Sequence, residues 1–204
     1  MAVKRRTIFL LVVAFLLIGG VTMMARTLRY GFSTLDEPSA MEAFMARTVR
    51  HWAVPSDLRK AKNPLPITPE VLAEARAHFA DHCATCHGND GKGEAMGKQM
   101  YPKAPDMTLS ATQSLSDGEL FSIIENGIRL TGMPAFGSGT AESGYGSWTL
   151  VHFIRHLPEI TAEELKEMQQ LNPISPMEMK GQQDESEFLE GGDEATEPPA
   201  KHQH

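Results

Sequence analysis

The 204-residue sequence predicts an all-α protein, and three features carry this prediction. Apolar residues recur every three or four positions in several separate segments, which is the period of an amphipathic helix. Two capping boxes and several Asn-Gly, Asn-Pro and proline stops mark helix ends. An uncharged apolar run near the N-terminus has the length of a membrane span. We therefore expect a membrane anchor, one small helical domain and a tail.

The apolar run extends from Thr7 to Met24, and we expect an anchor over residues 7–25. A cleaved signal peptide, the alternative, usually has an apolar region of about 7 to 15 residues, which is shorter than this run. Three basic side chains and the α-amino group precede the run and two basic side chains follow it, so the positive-inside rule places residues 1–6 in the cytoplasm. In a bacterium, the remaining chain then lies in the periplasm or on the outer face of the cytoplasmic membrane.

Residues 26–67 read as a linker that contains one amphipathic helix. The stripe of apolar residues between Pro38 and Trp52 predicts this helix, which either lies on the membrane surface or packs on the domain. The segment from Val54 to Pro69 has four prolines and is expected to be extended.

Residues 68–158 are predicted to form the folded domain. Thr68 is a helix cap, Pro69 suits the first helical position, and this helix leads to Cys83. The loop that follows, Gly88–Thr112, is longer than a small domain usually tolerates unless a ligand organises it. The expected helices run from Pro69 to about His82, from the Ser116 and Glu119 capping box to Asn126-Gly127, and from Ser147 to Leu157.

The C-terminal part divides into an extension, residues 159–177, and a tail, residues 178–204. A capping box at Thr161 opens a short helix in the extension. The tail has eight acidic and two basic residues and carries −6 of the total charge of −7, so we expect it to be disordered. The remaining chain has no basic excess, which argues against nucleic-acid binding.

The segment Cys83-Ala84-Thr85-Cys86-His87 has the c-type haem attachment spacing and contains both cysteines. Two thiols at this spacing reach the two vinyl groups on one porphyrin edge, and the adjacent histidine supplies an axial nitrogen to iron. A thioredoxin-type redox pair follows a strand, and a structural zinc site needs further ligands; neither context is present. The motif therefore predicts one covalently bound haem c, held by Cys83 and Cys86 and ligated by His87.

With this motif, residues 69–157 resemble the class I monohaem cytochrome c family. The resemblance rests on Phe79 before CATCHG, a middle helix that ends in Asn126-Gly127, the sequence GMPAF and a last helix with Trp148. It implies a fold whose first and last helices cross around a central haem, and an electron carrier, not an enzyme, with redox proteins as partners. The family also contains haem subunits of larger oxidase and dehydrogenase complexes, so this role is the alternative.

The sixth iron ligand is expected to be Met133, in GMPAF. It follows His87 by 46 residues, with a helix between them, which is enough chain to cross the haem. Met96, Met100 and Met107, all in the loop Gly88–Thr112, compete for this role. Family members use a proline carbonyl to orient the proximal histidine, and Pro105 or Pro102 is the candidate here.

Less specific sequence features concern the surroundings of the haem and sites for other metals. Arg129 is a candidate partner for a haem propionate, and Trp148, like Tyr101 and Phe136, for a haem contact, although ordinary surface or core roles explain each of them. The histidine pairs 78/82 and 152/156 have metal-clamp spacing but are equally typical of a polar surface. In the tail, Met177-Glu178-Met179 and His202-Gln203-His204 contain ligand types suited to copper, which suggests a copper-handling cytochrome as another alternative.

Overall fold

The computed structural model describes residues 2–31, 33–173, 180–181 and 186. All regular structure in these ranges is helical, which confirms the all-α prediction. The predicted disordered tail, with its candidate copper ligands, lies outside the described residues except at three positions. The helices are α1 (Ala2–Tyr30), α2 (Ala40–Ala53), α3 (Ser56–Arg59), α4 (Pro69–His82), α5 (Ala84–His87), α6 (Ala95–Lys98), α7 (Ser110–Gln113), α8 (Asp117–Asn126), α9 (Ala141–His156) and α10 (Ala162–Leu171), with a 3-10 turn at Leu157–Glu159.

The N-terminal helix α1 contains the predicted anchor. Its stretch Arg5–Arg29 is long and apolar enough to cross a membrane, and none of it is buried against the described part of the chain. Phe15, for example, is 76% exposed. A helix that is apolar on all sides and that the described residues leave uncovered is suited to a lipid environment.

Helix α2 has two different faces. It begins at Ser39, whose hydroxyl accepts from the Glu42 backbone N–H while the Glu42 carboxylate accepts from the Ser39 N–H. Helix α2 overlaps the segment Pro38–Trp52 in which the sequence predicts an amphipathic helix. The polar face packs on the domain, as described below, whereas the apolar stripe points away from it. The exposed apolar residues of that stripe are Met41, Phe44, Met45, Val49 and Trp52.

The domain core lies between α4, α8 and α9. Phe79 of α4 and Phe153 of α9 are both buried, with ring centroids 5.0 Å apart. Burying two such rings contributes several kcal/mol, at roughly 25 cal/mol per Å². The helices begin where the capping residues predict. Side-chain caps are present at Thr68, Ser116 and Thr161.

Helix α9 begins six residues earlier than the sequence predicts, at Ala141 instead of Ser147. Thr140 caps it, since its hydroxyl accepts from the Ser143 N–H. Glycines at 144 and 146 disfavour a helix by propensity. The packing compensates: the Ser143 and Ser147 hydroxyls both donate to the Glu125 carboxylate of α8, at 3.3 and 2.6 Å.

The segment before α4 is not the free extended linker that its prolines predict. It contains α3, and a Cβ at Gly118 would collide with the Leu58 carbonyl, so α3 lies directly on the first turn of α8. The Asn63 side chain then donates to the Trp148 carbonyl at 2.8 Å. His152 Nε2 lies 2.9 Å from the Leu65 carbonyl oxygen. These long-range hydrogen bonds fix a segment whose own sequence has no helical period.

The extension packs on the domain through α10. Met168 is fully buried, and Arg76 of α4 donates to Glu164 at 3.0 Å. His156 Nε2 lies 3.0 Å from both oxygens of the same carboxylate. The extension is therefore a structural part of the same folded unit.

Candidate functional site

The two cysteines and the histidine of the attachment motif lie in one turn. Cys83 ends α4, where its N–H donates to the Phe79 carbonyl at 2.9 Å, and the His87 N–H donates to the Cys83 carbonyl at 2.9 Å. The Cys86 carbonyl closely faces Gly97, where any Cβ would collide with it. Both cysteines are unbonded and partly buried. The turn thus presents two free thiols and an imidazole from a fixed backbone.

Burial favours the neutral forms of Cys83 and His87. It raises the pKa of Cys83 to about 12, with a further contribution from Cys86, and it lowers the pKa of His87. A neutral imidazole is the form that ligates metal ions. The Nδ1 atom of His87 is also buried without a hydrogen-bond partner within the described part of the chain. A buried ring nitrogen in this state needs a ligand or an acceptor.

Residues 128–136, the Met133 loop, are held against the end of α8. Gly127 has φ +64°, and a Cβ there would lie within 2.6 to 2.8 Å of backbone atoms of residues 133–135. The Ile128 N–H donates to the Met133 carbonyl at 3.1 Å, and the Met133 N–H donates to the Thr131 hydroxyl at 3.1 Å. This short hydrogen-bonded loop fixes the backbone on which the Met133 side chain is carried.

Two adjoining cavities separate the motif from the Met133 loop. The first has about 1030 Å³ of empty space, including the part open to solvent, and the second about 690 Å³. The lining of the first is mainly apolar and includes side chains of α4, α8 and α9. The residues that line both cavities are Cys83, His87, Pro105, Ile128, Met133 and Phe136.

The comparison with known families decides the identity of this region. Residues 70–154 match the family model described as cytochrome c oxidase, cbb3-type, subunit III. These residues form a class I monohaem c-type cytochrome domain. Among curated proteins, none matches the chain.

The cofactor of such a domain is haem c, and the residues present fit it. The cytochrome domain combines free thiols, a neutral imidazole with an unpartnered nitrogen and a thioether around one apolar space. These donors match the attachment and axial ligation of haem c. Cys83, Cys86, His87 and Met133 are the residues that would hold it.

Of the methionines, Met133 alone among the candidates lines both cavities. Met107 lines the first and Met100 the second, where the Met100 thioether packs on Gly132. Met96 is 52% exposed and lines neither. The geometry thus favours Met133 over its competitors.

The other predicted site residues differ in whether they line the two cavities. Pro105 lines both cavities, but His87 Nδ1 makes no hydrogen bond within the described residues, so the expected bond to a proline carbonyl is not formed. Arg129 is exposed and lines neither cavity. Trp148 also lines neither, because its ring stacks on Phe121 at 4.2 Å and its carbonyl accepts from Asn63. The propionate and haem-contact roles expected for Arg129 and Trp148 therefore have no geometric support.

Two arginines that the sequence did not single out do line the first cavity. Arg47 and Arg50 reach it from α2, outside the matched domain. The amphipathic period of α2 separates these arginines from the apolar stripe. It does not say which part of the domain they face, because that depends on contacts distant in sequence.

Each histidine of the two predicted pairs has a contact with another side chain or with the backbone. His152 and His156 have different partners, the Leu65 carbonyl and the Glu164 carboxylate. The His78 and His82 rings meet edge to face with centroids 5.1 Å apart. Across the described residues, no group of three or more His, Cys, Asp or Glu side chains is arranged to hold a metal ion.

Proposed function

We propose that this protein is a membrane-anchored, single-haem c-type cytochrome that transfers single electrons between extracytoplasmic redox partners. The observation that carries the proposal is the shared lining of the two cavities, which brings Cys83, His87 and Met133 to one apolar space inside a cytochrome domain. This is the donor set of a closed, six-coordinate iron, which suits electron transfer better than ligand binding.

Each residue of the site has a distinct task. When haem c is bound, the Cys83 and Cys86 thiols would hold it through thioether bonds to its two vinyl groups, with each S–H hydrogen passing to a vinyl carbon. His87 and Met133 would ligate the iron. Bound haem supplies the one-electron Fe(III)/Fe(II) couple. The apolar lining, including Phe79, Leu120 and Ile124, excludes water and so keeps the reorganisation on electron transfer small.

The anchoring role is supported by α1 and α2 together. The span Arg5–Arg29 ends about ten residues before α2 begins, and that connection reaches at most roughly 35 Å. The exposed apolar stripe of α2 therefore remains close to the membrane surface. We assign this stripe to the interface between lipid and water, where the aromatic side chains of Trp52 and Phe44 are suited to insert.

A second candidate function is a haem subunit of a larger oxidase complex. The family description, cytochrome c oxidase, cbb3-type, subunit III, favours it. In such a complex the same four residues hold the haem, and the electron acceptor is a neighbouring subunit instead of a diffusing partner.

Purification of the tagged full chain from detergent-solubilised membranes tests both roles. A carrier should purify alone, contain one haem per chain that remains attached after denaturation, and exchange single electrons with added redox proteins. Stoichiometric oxidase subunits in the same fraction would support the second role. A chain without covalent haem would contradict both. Carbonate washing tests the anchor: release of the protein, with an N-terminus near Arg26, would replace the anchor with a signal peptide.

A further inference from the structure

Two arginine side chains of α2 line an apolar cavity. Arg47 and Arg50 line the first cavity beside Leu115, Ile123 and Met133. Neither arginine has a hydrogen bond or an ion pair to any residue that the structure describes. Arg47 is exposed, whereas Arg50 is only partly exposed. Burial lowers the pKa of Arg50, against an opposing electrostatic effect of Glu119. A partly buried guanidinium without partners is costly, so this position indicates an anionic ligand.

The positions of both arginines are fixed by contacts of α2 with two parts of the domain. His51 Nδ1 lies 2.7 Å from Oε1 of Glu119 in α8. In the loop after the haem motif, the Tyr101 hydroxyl donates to Glu42 of α2 at 3.3 Å. The Lys103 ammonium of the same loop donates to Glu37, just before α2, at 2.5 Å. Helix α2 is thus bound to α8 and to the loop after the haem motif at once.

Spacing and charge fit a pair of carboxylates. Arg47 and Arg50 are three residues apart and therefore share one face of α2. Lys103, which lines the second cavity, is already paired with Glu37. Haem carries two propionates, and guanidinium groups bind carboxylates with two parallel hydrogen bonds. Glu119 does not substitute for this ligand, because its two oxygens already accept from Ser116 and His51.

We propose that Arg47 and Arg50 bind the haem propionates, so that the helix before the cytochrome domain completes the cofactor site. The proposal rests on the haem binding proposed above. It assigns to α2 the task that the sequence suggested for Arg129. It also makes α2 a connection between the membrane surface, which its apolar stripe faces, and the haem edge, which its arginines cover.

The test compares midpoint potentials of the full-length holoprotein in detergent. In the Arg47→Gln/Arg50→Gln variant, loss of positive charge near the haem should favour the ferric state by on the order of tenfold. For a one-electron couple, tenfold corresponds to a potential lower by ~59 mV. Arg129→Gln, which removes one charge from a residue outside both cavities, should change the potential little. Arg47→Lys/Arg50→Lys should recover most of the loss, because it keeps the charge.

A potential in the Gln double variant equal to that of Arg129→Gln would overturn the proposal. If the variant does not assemble, a crystal structure of the wild-type holoprotein decides, with a guanidinium nitrogen expected within about 4 Å of a propionate oxygen. Both arginines pointing to solvent would overturn the proposal. The haem content of the wild type distinguishes failure of the proposed function from failure of this inference. Absence of covalent haem contradicts the proposed function, whereas bound haem with unpaired arginines contradicts this inference alone.

Discussion

Nδ1 of His51 in α2 donates to Oε1 of Glu119 in α8 across 2.7 Å, which joins residues 68 positions apart in the chain. Arg59 Nη1 lies 2.8 Å from the other ring nitrogen of His51. The bond crosses the boundary of the family match, since α2 precedes residue 70. A helix that a family comparison leaves out is therefore part of the folded unit around the candidate haem site.

The first prediction concerns this bond. In a double-mutant cycle, His51→Ala and Glu119→Gln should show a coupling of about 0.5–1 kcal/mol in the free energy of unfolding, because the pair is partly exposed. Gln at 119 retains an acceptor for the Ser116 N–H, so the helix cap survives. Chemical denaturation of the detergent-solubilised holoprotein measures the coupling. Additive effects would mean that α2 is not held by this pair.

The second prediction is a pH dependence at Glu164. Burial by itself raises the pKa of this carboxyl, but hydrogen bonds from the Thr161 backbone and from His156 outweigh it and hold the pKa at about 2. A carboxylate with a lowered folded-state pKa stabilises the protein above its unfolded pKa of about 4.5 and loses this effect as the pH falls towards 2.

Glu164→Gln should thus lower the free energy of unfolding at pH 7 by about 1–2 kcal/mol, allowing for solvent screening. The difference from wild type should shrink between pH 5 and pH 2. Glu163→Gln, at the exposed neighbouring position, is the matched control and should have little effect at either pH. A Glu164→Gln deficit that stays constant down to low pH would show that the carboxylate charge is not the cause.

The third prediction compares two glycines with left-handed backbone. Gly127 has φ +64° and backbone atoms within 2.6 to 2.8 Å of a prospective Cβ, whereas Gly139 has φ +75° and open space around it. Alanine at 139 adds only backbone strain, about 1 kcal/mol. Alanine at 127 must also displace the Met133 loop, so it should cost at least about 2 kcal/mol and change the haem spectrum. Equal thermal shifts for the two variants, with unchanged spectra, would contradict this account of the loop.

Local signals in the sequence predict most of the domain helices. The caps at Thr68 and Thr161 and the stop at Gly127 are found where the residue types indicate, since capping depends on groups three or four residues apart. The early start of α9 is not predictable in this way. Its two glycines disfavour a helix locally, and the Glu125 contacts that offset them come from a different helix.

The candidate site also combines features that local sequence predicts with features that depend on long-range contacts. The arrangement of the haem motif is predictable from sequence, because Cys83, Cys86 and His87 lie within one turn. The cavity lining from α2 depends on contacts of α2 with Glu119 and Tyr101, far away in the sequence. Sequence reasoning therefore named Arg129, within the Met133 loop, as a candidate propionate partner, whereas the structure brings Arg47 and Arg50 to the cavity.

The most direct test of the central claim is the spectrum and midpoint potential of the full-length Met133→Ala holoprotein. Because a thioether ligand favours ferrous iron, its loss should lower the potential, and the ferrous protein should now bind carbon monoxide. Met100→Ala and Met107→Ala are the matched controls, since each of these methionines lines one cavity only, and both should keep the low-spin spectrum and exclude carbon monoxide. A Met133→Ala protein with wild-type spectrum, potential and carbon monoxide exclusion would contradict the assignment of Met133 as axial ligand.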